Sequence, residues 1–138
     1  MTKKIKNFRH SYTELSKVGR KYYSDKAFCS VIALAVGCDL SFGTALSISR
    51  KSGRDHRRGA NIYGIFRAFA LAGKRLEKIP VDSHGKTLTT AERNAPKTGR
   101  YIYFVRGHVA CIRDGVLEDW TAGGSRRRIE EAYKVCDT

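Results

Sequence analysis

The feature that most constrains this chain is a predicted β-hairpin within residues 107–120 (GHVACIRDGVLEDW). Apolar-rich runs flank the dipeptide Asp114-Gly115, whose residue types tolerate positive φ and therefore favour a tight two-residue turn. In the register that such a turn sets, Cys111 faces Glu118 across the two strands. The hairpin predicts an antiparallel sheet in this part of the chain.

One face of this hairpin combines apolar side chains with an imidazole and a carboxylate. Because side chains alternate along a strand, that face is predicted to carry His108, Ala110, Ile112, Leu117, Asp119 and Thr121. His108 and Asp119 are then diagonal neighbours, roughly 7 Å apart at their backbones, and their side chains can close that separation. A carboxylate beside an imidazole orients a histidine as a base. The pair is therefore a candidate catalytic element.

The length and composition indicate one folded domain. The chain has 138 residues, 41% of them hydrophobic, which is enough to bury a core. We assign residues 1–10 to a basic arm and residues 11–138 to a single domain, with a helical half over 11–75 and a sheet half over 76–138. No apolar run approaches the ~20 residues needed to cross a bilayer, and no apolar signal-peptide core follows the basic start. We therefore expect a soluble, cytoplasmic protein without a membrane partner.

The strong positive charge favours polyanionic partners. Lys and Arg number 27 against 13 acidic residues, which gives a formal net charge of +14. The basic residues are dispersed along the sequence, and no recognisable DNA- or RNA-reading motif accompanies them. One interpretation is a solvated basic surface with weak general attraction to nucleic acid. The first patch to test for polyanion binding comprises Arg54, Arg57 and Arg58, with Tyr63 nearby.

The four cysteines indicate free thiols rather than disulfides or a metal centre. Cys29, Cys38, Cys111 and Cys136 have no framework spacing, and no secretory signal precedes them. His108 and Cys111 are a close pair of metal-ligand types, but within a strand they point to opposite faces, which does not suit zinc. We therefore predict no metal and no cofactor.

The segment that follows Ser24 is predicted to form an interior helix. Ser24 or Asp25 can cap its start, and Gly37 suits a left-handed stop at its end. Nearly every position between them is apolar, so the helix belongs inside the domain. Cys29 lies in its first turn or just beyond, near the positive end of the helix dipole, which lowers a thiol pKa.

The remaining segments complete an α+β pattern. Further helices are predicted from Ser41, over Asn61–Ala72 and as a brief turn that Thr90 caps. Strands are predicted over 76–81, 101–105 and 132–136, in addition to the hairpin. Because helices come first and strands last, we expect a helical half packed on a largely antiparallel sheet.

The order of these elements points to a thiol nucleophile. Cys29 opens a buried helix, His108 opens a strand, and Asp119 lies on the next strand. Attack by a thiolate needs a base within hydrogen-bond reach and a third group that holds the base. Packing of the helix N-terminus against an edge of the sheet would supply this arrangement for acyl transfer. The backbone N–H of Cys29 would then help to stabilise the oxyanion.

This arrangement resembles the papain-like cysteine peptidases, particularly their small bacteriocin-leader-peptidase-like and phage-encoded members. The matching segments are residues 25–35 (DKAFCSVIALA), 53–59 (GRDHRRG), 107–110 (GHVA), 114–116 (DGV) and 119–120 (DW). Together they cover most of residues 24–120. The resemblance implies a papain-like fold in which Cys29 is the nucleophile, His108 the base and Asp119 the orienting residue.

The resemblance also implies a substrate class. These enzymes usually place a glutamine or similar donor about six residues before the cysteine to complete the oxyanion hole. Tyr23 stands at that spacing, followed by Ser24, so these two are the candidate oxyanion donors. The expected activity is hydrolysis of a peptide or amide bond in a protein or peptide substrate, in the host cytoplasm if the protein is phage-encoded. The alternative is a catalytically weak or inactive papain-like fold that binds a host protein or nucleic acid through its basic surface.

Overall fold

The computed structural model describes residues 29–53, 62–118 and 127–138. In chain order these residues form α1 (Cys29–Cys38), α2 (Phe42–Lys51), α3 (Ile62–Leu71), β1 (Lys74–Ile79), α4 (Leu88–Asn94), β2 (Arg100–Val105), β3 (His108–Arg113), β4 (Val116–Leu117) and β5 (Ile129–Asp137). The helices and the antiparallel sheet confirm the predicted α+β class. The predicted basic arm lies outside the described residues.

The sheet has the strand order β1-β5-β2-β3-β4, and every neighbouring pair is antiparallel. β2, β3 and β4 follow one another as a meander. β5, the last strand, lies between β1 and β2, so the end of the chain joins the first strand to the meander. β1 and β4 are the edge strands of the described sheet.

The predicted hairpin between β3 and β4 is confirmed in both turn and register. Asp114 and Gly115 have φ values of 53° and 82°. Two successive residues with positive φ are typical of the turn whose twist matches that of paired strands. The backbone N–H of Glu118 donates to the carbonyl oxygen of Cys111 at 3.1 Å, as the predicted register requires.

α1 is an interior helix, as its almost uniformly apolar sequence predicts. All residues from Ser30 to Gly37 are buried. The prediction that Gly37 stops the helix is wrong, because α1 continues to Cys38 and Asp39 takes the left-handed conformation with φ 58°. Gly37 instead allows α1 and α3 to pack closely, since a Cβ at this position would lie 2.9 Å from Cε2 of Phe69 in α3.

The sheet separates two hydrophobic cores. On one side, which we call the α1 face, Ile102, Val109 and Cys111 join the core formed by α1, α2 and α3. On the other side, the α4 face, Tyr103 and Ala110 join the core that contains the buried residues of α4. Alternation along β2 and β3 therefore assigns each of their residues to one core or the other.

Side-chain caps define the starts of α2 and α4. α2 begins where predicted, and the Oγ of Ser41 accepts from the backbone N–H of Thr44 at 3.2 Å. The prediction that Thr90 caps α4 is wrong. Thr87 is the N-cap, and Thr90 completes a capping box by accepting from the backbone N–H of Thr87 at 3.0 Å. β1, β2 and β5 each begin earlier than predicted.

Helix length bears on the question of membrane spans. Within the described ranges, no single helix is both long and apolar enough to cross a membrane. α1 and α2 meet the criterion of length and composition only as a pair, and they are bent by 114°.

Candidate functional site

The structure describes only part of the predicted site. Cys29 and His108 belong to the described residues. The other candidates lie outside them: Asp119, Tyr23, Ser24, Arg54, Arg57 and Arg58. The geometry therefore bears on the nucleophile and the base, and not on the orienting residue, the oxyanion donors or the predicted arginine patch.

Cys29 is the first described residue of α1 and is half-buried, in contrast to the buried residues that follow it. It packs against the core of the α1 face. Its neighbour Ser30 is only 5% exposed. Partial exposure suits a nucleophile, because a substrate must reach the sulfur atom.

The direction of α1 across the sheet follows from contacts at its C-terminal end. Arg100 of β2 donates from Nη1 to the carbonyl oxygen of Gly37 at 3.1 Å and from Nη2 to Asp39 at 2.7 Å. Arg113, the last residue of β3, pairs with Arg100 in the sheet and places its Nε 3.8 Å from Asp39. The C-terminal end of α1 therefore lies at the end of β3 that is furthest from His108.

The lengths of the two elements then place Cys29. A ten-residue helix is about 15 Å long. A six-residue strand spans about 20 Å. α1 packs mainly against β3, so its N-terminal end, which carries Cys29, lies away from the Arg100 end of the sheet. Cys29 and His108 therefore both lie away from the Arg100 end of the sheet.

His108 nevertheless starts from the side of β3 opposite α1. It pairs with Val105 of β2 and is 7% exposed. Val109 is part of the core of the α1 face and Ala110 is part of the core of the α4 face. Alternation therefore assigns His108 to the side of Ala110. The imidazole of His108 therefore starts from the face of the sheet opposite the one that α1 covers.

Burial separates the other described thiols from a reactive role. Burial raises the pKa of Cys38 to about 12, and this effect outweighs the lowering by Lys74 and Arg100. Cys111 is fully buried, and burial raises its pKa further above the ordinary thiol value. Because the thiolate is the nucleophile, neither sulfur is suited to attack at neutral pH.

Glu118 is a buried carboxylate to which sequence analysis assigned no role. Its residue is 2% exposed, and its negative charge contributes to the raised pKa of Cys111. The hairpin register already placed Glu118 opposite Cys111, whose side chain belongs to the α1 face. That register was the signal for a carboxylate in the core, because it paired Glu118 with a residue on an apolar strand.

A polar cleft lies at the other end of α1. Its volume is about 300 Å³, and it is lined by Gly37, Asp39, Lys74, Gly99, Arg100, Val135 and Asp137. Arg100 pairs with Asp39, and Lys74 pairs with Asp137. Since its charged side chains are matched within the protein, the cleft does not present a surplus of one charge to a ligand.

A histidine and a tyrosine are joined on the α4 face. Nδ1 of His84 lies 2.7 Å from the hydroxyl of Tyr103, which is 1% exposed. The ring of His84 also meets Tyr101 edge-on, with centroids 4.9 Å apart. The segment that carries His84 is thereby fixed to the sheet, and burial lowers the pKa of His84 from its ordinary value of 6.5.

We expect His84→Ala to be destabilising at neutral pH, by an amount that shrinks in acid. Because the folded state lowers the pKa of His84, its contribution to stability is present above the unfolded pKa and is lost as the pH falls below it. Thermal unfolding of both proteins at pH values between about 7 and 5 measures the difference in Tm. The other histidines are present in both proteins, so a difference in Tm that stays constant with pH would contradict this assignment.

In the ranges that the structure describes, no three His, Cys, Asp or Glu side chains gather where they could hold a metal ion. The chain matches no protein-family model, no curated protein and no solved structure.

Proposed function

We propose that this protein is a papain-like thiol hydrolase that cleaves a peptide or amide bond. Cys29 is the nucleophile, His108 the general base and Asp119 the residue that orients the imidazole. The observation that supports the proposal is the half-buried position of Cys29 on the otherwise buried α1, whose C-terminal end is held at the end of β3 furthest from His108.

The confirmed hairpin register supports the proposed pair of His108 and Asp119. That pair was predicted from a two-residue turn at Asp114-Gly115, and the turn and its flanking register are those observed. Leu117, on the strand that leads towards Asp119, pairs with Ile112 as the register requires. The described part of the hairpin therefore supports the strand register that the proposed acid–base pair requires.

The proposed reaction proceeds in two steps. The imidazole of His108 takes the proton of the Cys29 thiol, and the sulfur forms a bond to the carbonyl carbon of the substrate. The C–N bond then breaks as the amine leaves with that proton, and a thioester remains. Water, deprotonated by His108, hydrolyses the thioester, which releases the carboxylic acid and restores the thiol. The backbone N–H of Cys29, with Tyr23 or Ser24, would stabilise the oxyanion.

The proposal sets one geometric requirement. Because His108 starts on the side of the α4 face, its imidazole must reach Cys29 around the beginning of β3 rather than through the sheet. The turn before it is open, since a Cβ on Gly107 would meet nothing within 4 Å. His108 is the first residue of β3, which places it next to this turn.

The test is the rate at which each thiol of the folded protein reacts with iodoacetamide at neutral pH. We expect Cys29 to react at least about tenfold faster than Cys136, because a paired imidazole lowers a thiol pKa. Cys38 and Cys111 should remain largely unlabelled, because burial raises the pKa of both. Cys29 and Cys38 fall in one tryptic peptide, so fragment ions must assign the label between them.

Two histidine variants give the test its control. His108→Gln, which preserves a polar side chain of similar size, should remove the advantage of Cys29 over Cys136. His84→Ala, which removes the other described histidine, should leave that advantage intact. Equal labelling of Cys29 and Cys136 in the parent protein, or an unchanged Cys29 rate in a folded His108→Gln protein, would overturn the proposal.

A further inference from the structure

We infer that the surface formed by Arg50, Lys51, Tyr63 and Arg67 binds single-stranded nucleic acid. We call it the α2–α3 surface, since it joins the C-terminal end of α2 to the exposed side of α3. This function is separate from the thiol chemistry proposed above, because the surface contains neither Cys29 nor His108.

Acidic residues are scarce in this part of the chain. Between Leu40 and Leu76, the sequence has Lys or Arg at eight positions and a single acidic residue, Asp55. Neither α2 nor α3 contains an acidic residue, and the last turn of α2 carries Arg50 and Lys51. The described helices therefore present cations that no carboxylate of their own elements neutralises. Such a surface attracts the phosphates of a nucleic-acid backbone.

An exposed aromatic ring lies among these cations. Tyr63 is 68% exposed, more than the other large apolar side chains that the structure describes as exposed. Arg67 follows it by one helical turn and so shares its side of α3. Nη2 of Arg67 donates to the carbonyl oxygen of Ser52 at 2.9 Å, which joins this side of α3 to the end of α2. Tyr63 therefore lies on the same surface as the basic residues.

The exposed ring favours a single strand over other polyanions. Proteins that bind single strands combine a basic surface with aromatic side chains on which bases stack. The bases of a duplex are already stacked and paired, so a duplex would gain only phosphate contacts with this surface. An acidic protein would likewise use the cations but would offer no base to Tyr63. A loss of affinity when the ring of Tyr63 is removed therefore distinguishes a single strand from a duplex or an acidic protein.

The experiment is fluorescence anisotropy with a short labelled oligothymidylate and a duplex of equal length, at low and physiological salt. We expect the full-length protein to bind the single strand more tightly than the duplex. Tyr63→Ala should raise the Kd for the single strand by about 5- to 100-fold, and Tyr63→Phe should preserve binding because it keeps the ring. Leu71→Ala, which changes an apolar side chain of α3 that is 60% exposed, should leave the Kd unchanged.

A second pair of variants tests the location of the charge. Arg50→Gln with Lys51→Gln should weaken binding and lower the slope of log Kd against log salt by about 1 to 2. Lys86→Gln with Lys97→Gln removes the same charge from exposed positions near α4 and should have a smaller effect. Unchanged binding in Tyr63→Ala, equal effects of the two charge pairs, or equally effective displacement of the oligonucleotide by polyglutamate would each overturn the inference.

Discussion

Replacing Phe69 with alanine is expected to lower the free energy of unfolding by about 3–5 kcal/mol. Phe69 is fully buried in α3, and its ring packs against Gly37 of α1. Gly37 has no side chain with which to fill the space that the ring would leave, and α1 is held at that end by Arg100. The cavity can therefore close only partly, and both the lost transfer free energy and the cavity contribute.

Chemical denaturation followed by circular dichroism measures this effect. Leu71→Ala in the same helix is the matched control, because Leu71 is 60% exposed and its truncation should change stability by less than about 0.5 kcal/mol. Equal losses in the two variants would show that α3 is not held against α1 by the Phe69 contact. An unchanged m-value in both would confirm that the comparison concerns native stability.

The same contact shows where local sequence rules stop. A glycine after an apolar helical run favours a left-handed helix stop, and Gly37 was assigned that role. Its real constraint comes from Phe69, more than thirty positions further along the chain. No local sequence pattern can indicate a contact between residues so far apart in the chain. The hairpin at Asp114-Gly115 was predictable for the opposite reason, since its turn and register depend on neighbouring residues alone.

The candidate site likewise has one part that could be predicted from the sequence and one part that could not. Alternation along β3 correctly assigns His108 and Val109 to opposite faces of the sheet, but it does not predict which face a helix will cover. That choice depends on contacts between residues far apart in the sequence, such as those of Arg100 with the C-terminal end of α1. The sequence pattern therefore places Cys29 on a helix and His108 on a strand. It contains no signal that α1 packs against the face of Val109 and Cys111.

Gly85→Ala is expected to lower the free energy of unfolding by about 2–4 kcal/mol, from a strained backbone and a damaged helix cap. Gly85 has φ +117°, which L residues rarely adopt. An added Cβ would also lie 2.5 Å from Oγ1 and 2.7 Å from Cβ of Thr90. Thr90 cannot yield freely, because its Oγ1 accepts from the backbone N–H of Thr87 and donates to the Thr87 carbonyl in the capping box of α4.

Gly73→Ala separates the two causes. Gly73 also has positive φ, at +84°, but a Cβ there would meet nothing within 4 Å. Its replacement should therefore show the backbone strain alone, about 1–2 kcal/mol. The clash predicts in addition that Gly85→Ala costs less in a Thr90→Ala background, which a double-mutant cycle by denaturation measures. If Gly85→Ala and Gly73→Ala are equally destabilising and the cycle shows no coupling, then contact with the α4 cap does not restrict residue 85.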